Sequence, residues 1–231
     1  MKKRTIQLFL FLFLLSGFSC TIYNNNGKND KDAAFRIKAD SLLKLMTLDE
    51  KIGQLALYTS GWDVTGPVLS QDYKNLIKQG KVGGVFNAYT AGYARELQEL
   101  AVEETRLGIP LIFGYDVIHG HRTIFPIPLG QAASWDTAAI EKSERIAATE
   151  ATAEGINWVY APMVDIARDP RWGRVMEGAG EDTWLGCQIA KARVRGFQGN
   201  NLASPNTAMA CVKHFAAYGA PQAGRGQKAP P

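Results

Sequence analysis

Cysteine and histidine are both scarce, with three of each in 231 residues. No Cys-x-x-Cys pair occurs, so the common structural zinc and dithiol redox motifs are absent. With Cys20 set apart below, Cys187 and Cys211 remain, both in apolar-periodic segments. They are expected to be buried free thiols rather than a disulfide framework. No Gly-x-Gly-x-x-Gly or Gly-x4-Gly-Lys-Ser/Thr follows an apolar run, which argues against a phosphate-cradling nucleotide site. Strong charge of one sign is also missing. The net charge is +4, and Lys2, Lys3 and Arg4 carry three of those charges. The rest is nearly neutral, so no nucleic-acid partner is expected.

Long hydrophobic runs are lacking too. Residues 6–15 are apolar but too short to span a bilayer. Behind the basic start they have the size of a signal-peptide core. Ser16-Gly17-Phe18-Ser19-Cys20 follows, which resembles a bacterial lipoprotein signal, with Phe18 departing from the small-residue pattern. Residues 1–19 are therefore expected to be removed and Cys20 lipidated, giving an exported, periplasmic or outer-membrane lipoprotein anchored by its N-terminal lipid. Residues 20–34 have the polar composition of a tether, centred on Asn24-Asn25-Asn26-Gly27.

What is present, from residue 35 on, is an alternation of two periods. Helical patterns cover 35–46, 47–58, 72–79, 91–107, 136–155 and 182–197. Short apolar runs at 82–86, 109–115, 158–163 and 208–212 read as buried strands. Thr47-Leu48-Asp49-Glu50 is a capping-box sequence, and Asp136 an N-cap. Continuous apolar strands between helices predict an α/β fold with a parallel sheet covered by helices. Titratable residues stand just past the strands: Asp116 after the second, Asp165 after the third, Lys213 and His214 after the fourth. That is where β/α barrels build their sites.

The stretch 164–182, VDIARDPRWGRVMEGAGED, packs eight charged residues around Trp172. Pro170 and three glycines constrain its backbone. It reads either as an ordered functional loop or as a salt-bridged structural one. Within it Arg174 has the planar fork that grips two oxygens at once. Asp116 either accepts bonds from ligand hydroxyls or caps its own turn. Lys213 and His214 either donate into a site or are satisfied in a polar core.

The motifs YDVIHG, TIFPIPLG, AASWD, APMVDIARDPRWGRVMEGAGED and CVKHFAAYG, in that order, resemble the N-terminal domain of glycoside hydrolase family 3. The likeness is greatest to bacterial secreted or periplasmic β-glucosidases, and it covers residues 35–224. It implies a (β/α)8 TIM-like barrel and hydrolysis of β-linked glucosides with retention of configuration, without metal or cofactor. By motif match, Asp116, Arg174, Lys213 and His214 would hold the hydroxyls of the non-reducing sugar of a β-glucoside or oligosaccharide.

The family's nucleophile and acid/base both fall beyond the last motif found here, so no catalytic residue is assigned. About four of eight barrel strands are counted, and residues 225–231 read as an irregular tail. The chain is expected to be about half of the barrel, the front part of a β-glucosidase, and silent by itself. A non-catalytic glycan-binding surface lipoprotein is the alternative. His119-x-His121 is similar to the metal pair of amidohydrolases, but only His214 remains as a further histidine ligand.

Overall fold

A computed structural model describes residues 26–63, 66–68 and 71–220. The expected signal segment 1–19, the lipidation site Cys20, residues 20–25 of the tether and the tail 225–231 lie outside the described residues. Helix α1 spans Asn26–Leu45, beginning inside the stretch read as tether, and falls in a compact unit of its own, residues 1–45.

Five parallel strands form one sheet: β1 Leu57–Thr59, β4 Gly84–Phe86, β5 Ile112–Tyr115, β6 Trp158–Val159 and β7 Met209–Ala210. A separate antiparallel pair, β2 Gly61–Asp63 and β3 Gly66–Val68, follows β1. Around it run the helices α2 Leu48–Gly53, α3 Gln71–Lys78, α4 Ala91–Glu103, α5 Pro128–Ala133, α6 Thr137–Ala153 and α7 Thr183–Gln198. The order in the parallel sheet is the order in the sequence. A doubly wound sheet would reverse direction at a switch point. Right-handed crossovers without reversal place all the helices on one face, which is barrel order.

The strand-to-strand register makes the two faces explicit. Leu57 pairs with Gly84 and Gly84 with Ile112, and Gly114 pairs with Trp158 and Trp158 with Met209. The alternate residues Tyr58, Val85, Phe113 and Val159 enter the helix-side core with Leu97, Ala101, Ala147 and Phe197. On the other face Leu57, Ile112 and Met209 are exposed, and β1 and β7 are the sheet edges.

Two corrections to the sequence reading follow. The sheet has five parallel strands rather than about four, because residues 57–59 are strand and not the end of a helix. The capping box forms, with Thr47 Oγ1 accepting from the Glu50 amide at 3.2 Å, but α2 ends at Gly53. A side chain there would sit 2.5 Å from the Lys81 backbone, so only glycine fits at that contact. The second correction concerns the thiols. Cys187 is exposed and Cys211 half-buried, and both are free.

Helices α6 and α7 pack closely. A Cβ on Gly196 would lie 2.6 Å from the Glu141 carbonyl, so the absent side chain sets the spacing. Both helices start at capping aspartates. Asp136 accepts from the Ala139 amide at 2.9 Å and Asp182 from Leu185 at 2.6 Å, each worth about 1 kcal/mol.

Candidate functional site: the C-terminal ends of β5, β6 and β7

The register of the last two strands carries the site. After β6 comes Pro162, which has no N–H for the ladder, and the regular strand is only two residues long. Pairing resumes as a parallel bridge between Met163 and Lys213, with the Val164 amide donating to the Lys213 carbonyl at 2.7 Å. That bridge sets Asp165 beside His214.

Asp165 is buried, its side chain 2% exposed. Its Oδ2 accepts from the His214 amide at 3.1 Å and is 2.8 Å from His214 Nδ1, while Oδ1 accepts from the Tyr218 amide at 3.1 Å. Arg174 lies on the other side of the imidazole, Nη1 3.4 Å from His214 Nε2. Its fork is held by Glu177, Nε to Oε1 at 2.6 Å and Nη2 to Oε2 at 2.5 Å. These bonds push the arginine further above its ordinary range and hold the Glu177 carboxyl below the usual carboxylate range. The Arg174 guanidinium also stands 5.4 Å from the centre of the Tyr218 ring, a cation–π distance. Tyr218 in turn meets Trp172 edge-on at 5.5 Å. Trp172 is buried beside Met163, Ala167 and Val175, which accounts for a tryptophan among so many charges.

Asp116 joins from β5. Lys213 Nζ donates to its Oδ1 at 3.3 Å, with the lysine side chain 17% exposed and the aspartate 44%. Tyr160, whose ring packs edge-on against Trp158, is pushed up to about 12, first by burial and then by the charge of Asp116.

The loop after Asp116 is held from behind. Arg193 of α7 donates to the Ile118 carbonyl and, through Nε, to Glu144 of α6 at 2.6 Å. Both side chains are fully buried, and burial pushes the Glu144 carboxyl up despite the arginine beside it. Further along, the Arg122 and Thr123 amides both donate to Glu150 Oε2 at 2.8 Å. His119 Nδ1 is 2.9 Å from the Phe125 carbonyl and His121 Nε2 is 2.9 Å from Glu154. The two imidazoles of the His-x-His pair are therefore tied to different parts of the loop and helix. No group of three or more metal-ligating side chains occurs among the described residues.

The structure thus brings Asp116, Lys213, His214 and Arg174 into one cluster. Asp165, Glu177, Tyr218 and the Arg193–Glu144 pair are the supports that residue patterns did not assign. The cluster offers donors from Lys213 and Arg174 and an acceptor from Asp116, an arrangement suited to a neutral, hydroxyl-rich ligand. Asp165 and Glu177 are committed to protein partners, which leaves Asp116 as the carboxylate of the cluster open to a ligand.

Parallel strands in barrel order, with polar residues at their C-terminal ends, define a β/α-barrel-type domain. The chain belongs to the family described as the glycosyl hydrolase family 3 N-terminal domain, whose model matches residues 47–231. It is 47% identical over 184 residues to the periplasmic beta-glucosidase of Salmonella typhimurium, an alignment covering 80% of this chain and 24% of the relative. The periplasmic beta-glucosidase/beta-xylosidase of Dickeya chrysanthemi is 30% identical over 92% of this chain and 37% of its own length. Among solved structures, the beta-glucosidase of Listeria innocua in complex with isofagomine superposes with a TM-score of 0.70 at 43% identity, over 81% of this chain and 26% of that one. The chain therefore spans about a quarter to a third of the length of the relatives it matches.

Proposed function

We propose that the protein this chain contributes to is a retaining β-glucosidase, releasing terminal non-reducing β-D-glucosyl residues, and that this chain supplies one wall of the glucosyl subsite. The observation that carries the reading is the convergence of Asp116, Lys213 and His214, past neighbouring strand ends of a parallel sheet, with Arg174 from the loop after β6. Asp116 accepts from sugar hydroxyls, and Lys213 and Arg174 donate to sugar oxygens. Such hydrogen bonds to charged groups contribute about 1.5–3 kcal/mol each.

Retaining hydrolysis needs two carboxyl groups roughly 5–5.5 Å apart, one as nucleophile and one as acid/base. Asp165 and Glu177 are held by protein partners, and the family resemblance implies that both catalytic groups lie beyond the last motif found here. The mechanism left to this wall is binding: it holds the sugar while the ring distorts toward the oxocarbenium-like state. Export to the periplasm fits the apolar N-terminal segment and the periplasmic relatives. A lipid on Cys20 is the finer form of that proposal. Labelled fatty acid entering the wild-type protein but not Cys20→Ser tests it.

The test of function is calorimetric. D-glucose titrated into the 231-residue chain should bind weakly, and an aryl β-glucoside should not be hydrolysed above background. Absence of binding overturns the glucosyl wall, and turnover that survives purification shows a catalytic pair within the chain.

A further inference from the structure

We infer that Asp165 is a positioning residue that fixes His214 as its Nδ1–H tautomer, so that the bare Nε2 accepts from Arg174 and aims the guanidinium at the ligand-facing cluster. The inference rests on the reading of these strand ends as a sugar-binding wall, and it deepens that reading by showing what aims Arg174 at it.

The hydrogen-bond inventory decides the tautomer from both ends of the ring. An ionised carboxylate only accepts. Asp165 Oδ2 lies 2.8 Å from Nδ1 and already accepts from the His214 amide, so a bare Nδ1 would set lone pair against lone pair. At the other end Arg174 only donates. Its Nη1 lies 3.4 Å from Nε2, and a proton on Nε2 would set donor against donor. The Nδ1–H, Nε2-bare form satisfies both contacts at once.

Asp165 cannot relax to suit another form. Its side chain is 2% exposed, and its second oxygen accepts from the Tyr218 amide. The imidazole is confined as well: the Tyr218 ring meets it edge-on at 4.9 Å, and Tyr218 itself packs against Trp172. The other charged groups around the imidazole are Glu177, which acts through Arg174, and Lys213 on its own segment. A buried carboxylate orienting a histidine through Nδ1 is a general device for selecting which ring nitrogen faces a site.

The wall then presents the donors Lys213 and Arg174 and the acceptor Asp116, with the single Nε2 lone pair of His214 holding Arg174. It suits a polyol that donates a hydroxyl to Asp116 and accepts at its oxygens from Lys213 and Arg174.

The experiment is long-range 1H–15N correlation on the 15N-histidine-labelled 231-residue chain, with His214→Gln used to assign the His214 signals. The expected wild-type pattern is a pyrrole-type Nδ1 and a pyridine-type Nε2. The reverse pattern, or a pyrrole-type shift at both nitrogens, overturns the inference. Asp165→Asn should move the His214 Nδ1 shift toward the pyridine type and weaken D-glucose binding about tenfold or more, with the His119 and His121 signals in place as reporters of the fold. Unchanged His214 shifts in a folded Asp165→Asn chain overturn the role of Asp165. The wild-type spectrum decides the tautomer even if that variant does not fold. The expected tautomer without glucose binding by the wild type supports the assignment and overturns the glucosyl wall. Glucose binding with the opposite tautomer does the reverse.

Discussion

Two arginine–carboxylate clusters in this domain use the same chemistry for different ends. Around Glu50, the carboxylate closes the capping box on the Thr47 amide at 2.7 Å and receives the Arg106 guanidinium at 2.6 and 3.1 Å. One use caps α2 and the other ties it to Arg106, just past α4, at the surface. Around Asp165 and Glu177, the carboxylates are spent on other side chains, His214 and Arg174, and on the turn at Tyr218. The difference is in what remains. The helix cap leaves nothing oriented toward a ligand, whereas the second cluster leaves Lys213, His214 and Asp116 held past adjacent strand ends, with Arg174 from the loop after β6. An ion pair by itself does not mark a site.

The sharpest way to break the second cluster is from behind. Arg193→Met removes the guanidinium between Glu144 and the Ile118 carbonyl and leaves a buried carboxyl without its partner. Losing one member of a buried pair costs about 3–5 kcal/mol. Urea unfolding should show that loss as a lower midpoint at an unchanged slope. A change under about 1 kcal/mol would mean that the pair is not a brace.

Next in size is Asp116→Asn, which keeps shape and removes charge at the end of β5. D-glucose affinity should fall roughly ten- to a hundredfold, the weight of a hydrogen bond to a charged group. Asp49→Asn, in the first turn of α2, is the control drawn from the other cluster and should leave affinity unchanged. Equal behaviour of the two variants would make Asp116 a turn cap, the reading its sequence position left open.

How much of this was legible in the residues follows from the ranges over which the forces act. The alternation of helical and strand periods gave the parallel α/β class, and the strand-end positions gave Asp116, Lys213, His214 and, with its motif, Arg174. Both depend on local pattern. Residues 57–59 were misread because a short apolar run after a helix start fits either period, and α2 gives way after Gly53 to a turn whose packing on the Lys81 backbone no local pattern encodes. Asp165 stood in plain view at a strand end. Its use, however, depends on the bridge between Met163 and Lys213, and no local period encodes a register between segments that far apart. The Arg193–Glu144 pair is hidden for the same reason. Each residue reads as an ordinary charged position on its own helix, and only the close approach of α6 and α7 at Gly196 buries them together.

The smallest effect belongs to the outer cluster, and its pH dependence has a definite sign. Glu50 is lowered from 4.5 to about 2, first by the Arg106 hydrogen bond and then by the Thr47 amide. A carboxyl whose folded value is depressed stabilises the fold above its unfolded value. That contribution disappears as pH falls through the folded value. Glu50→Gln should therefore melt below the wild type at neutral pH, with the gap closing between about pH 4.5 and pH 2. Because the pair is at the surface, added salt should narrow the gap at neutral pH. Glucose affinity should be the same in both proteins, since neither the cap nor Arg106 touches the strand ends. A gap that persists at low pH would assign the effect to the lost side-chain packing of Glu50 rather than its charge. A change in glucose affinity would remove the distinction between the two clusters.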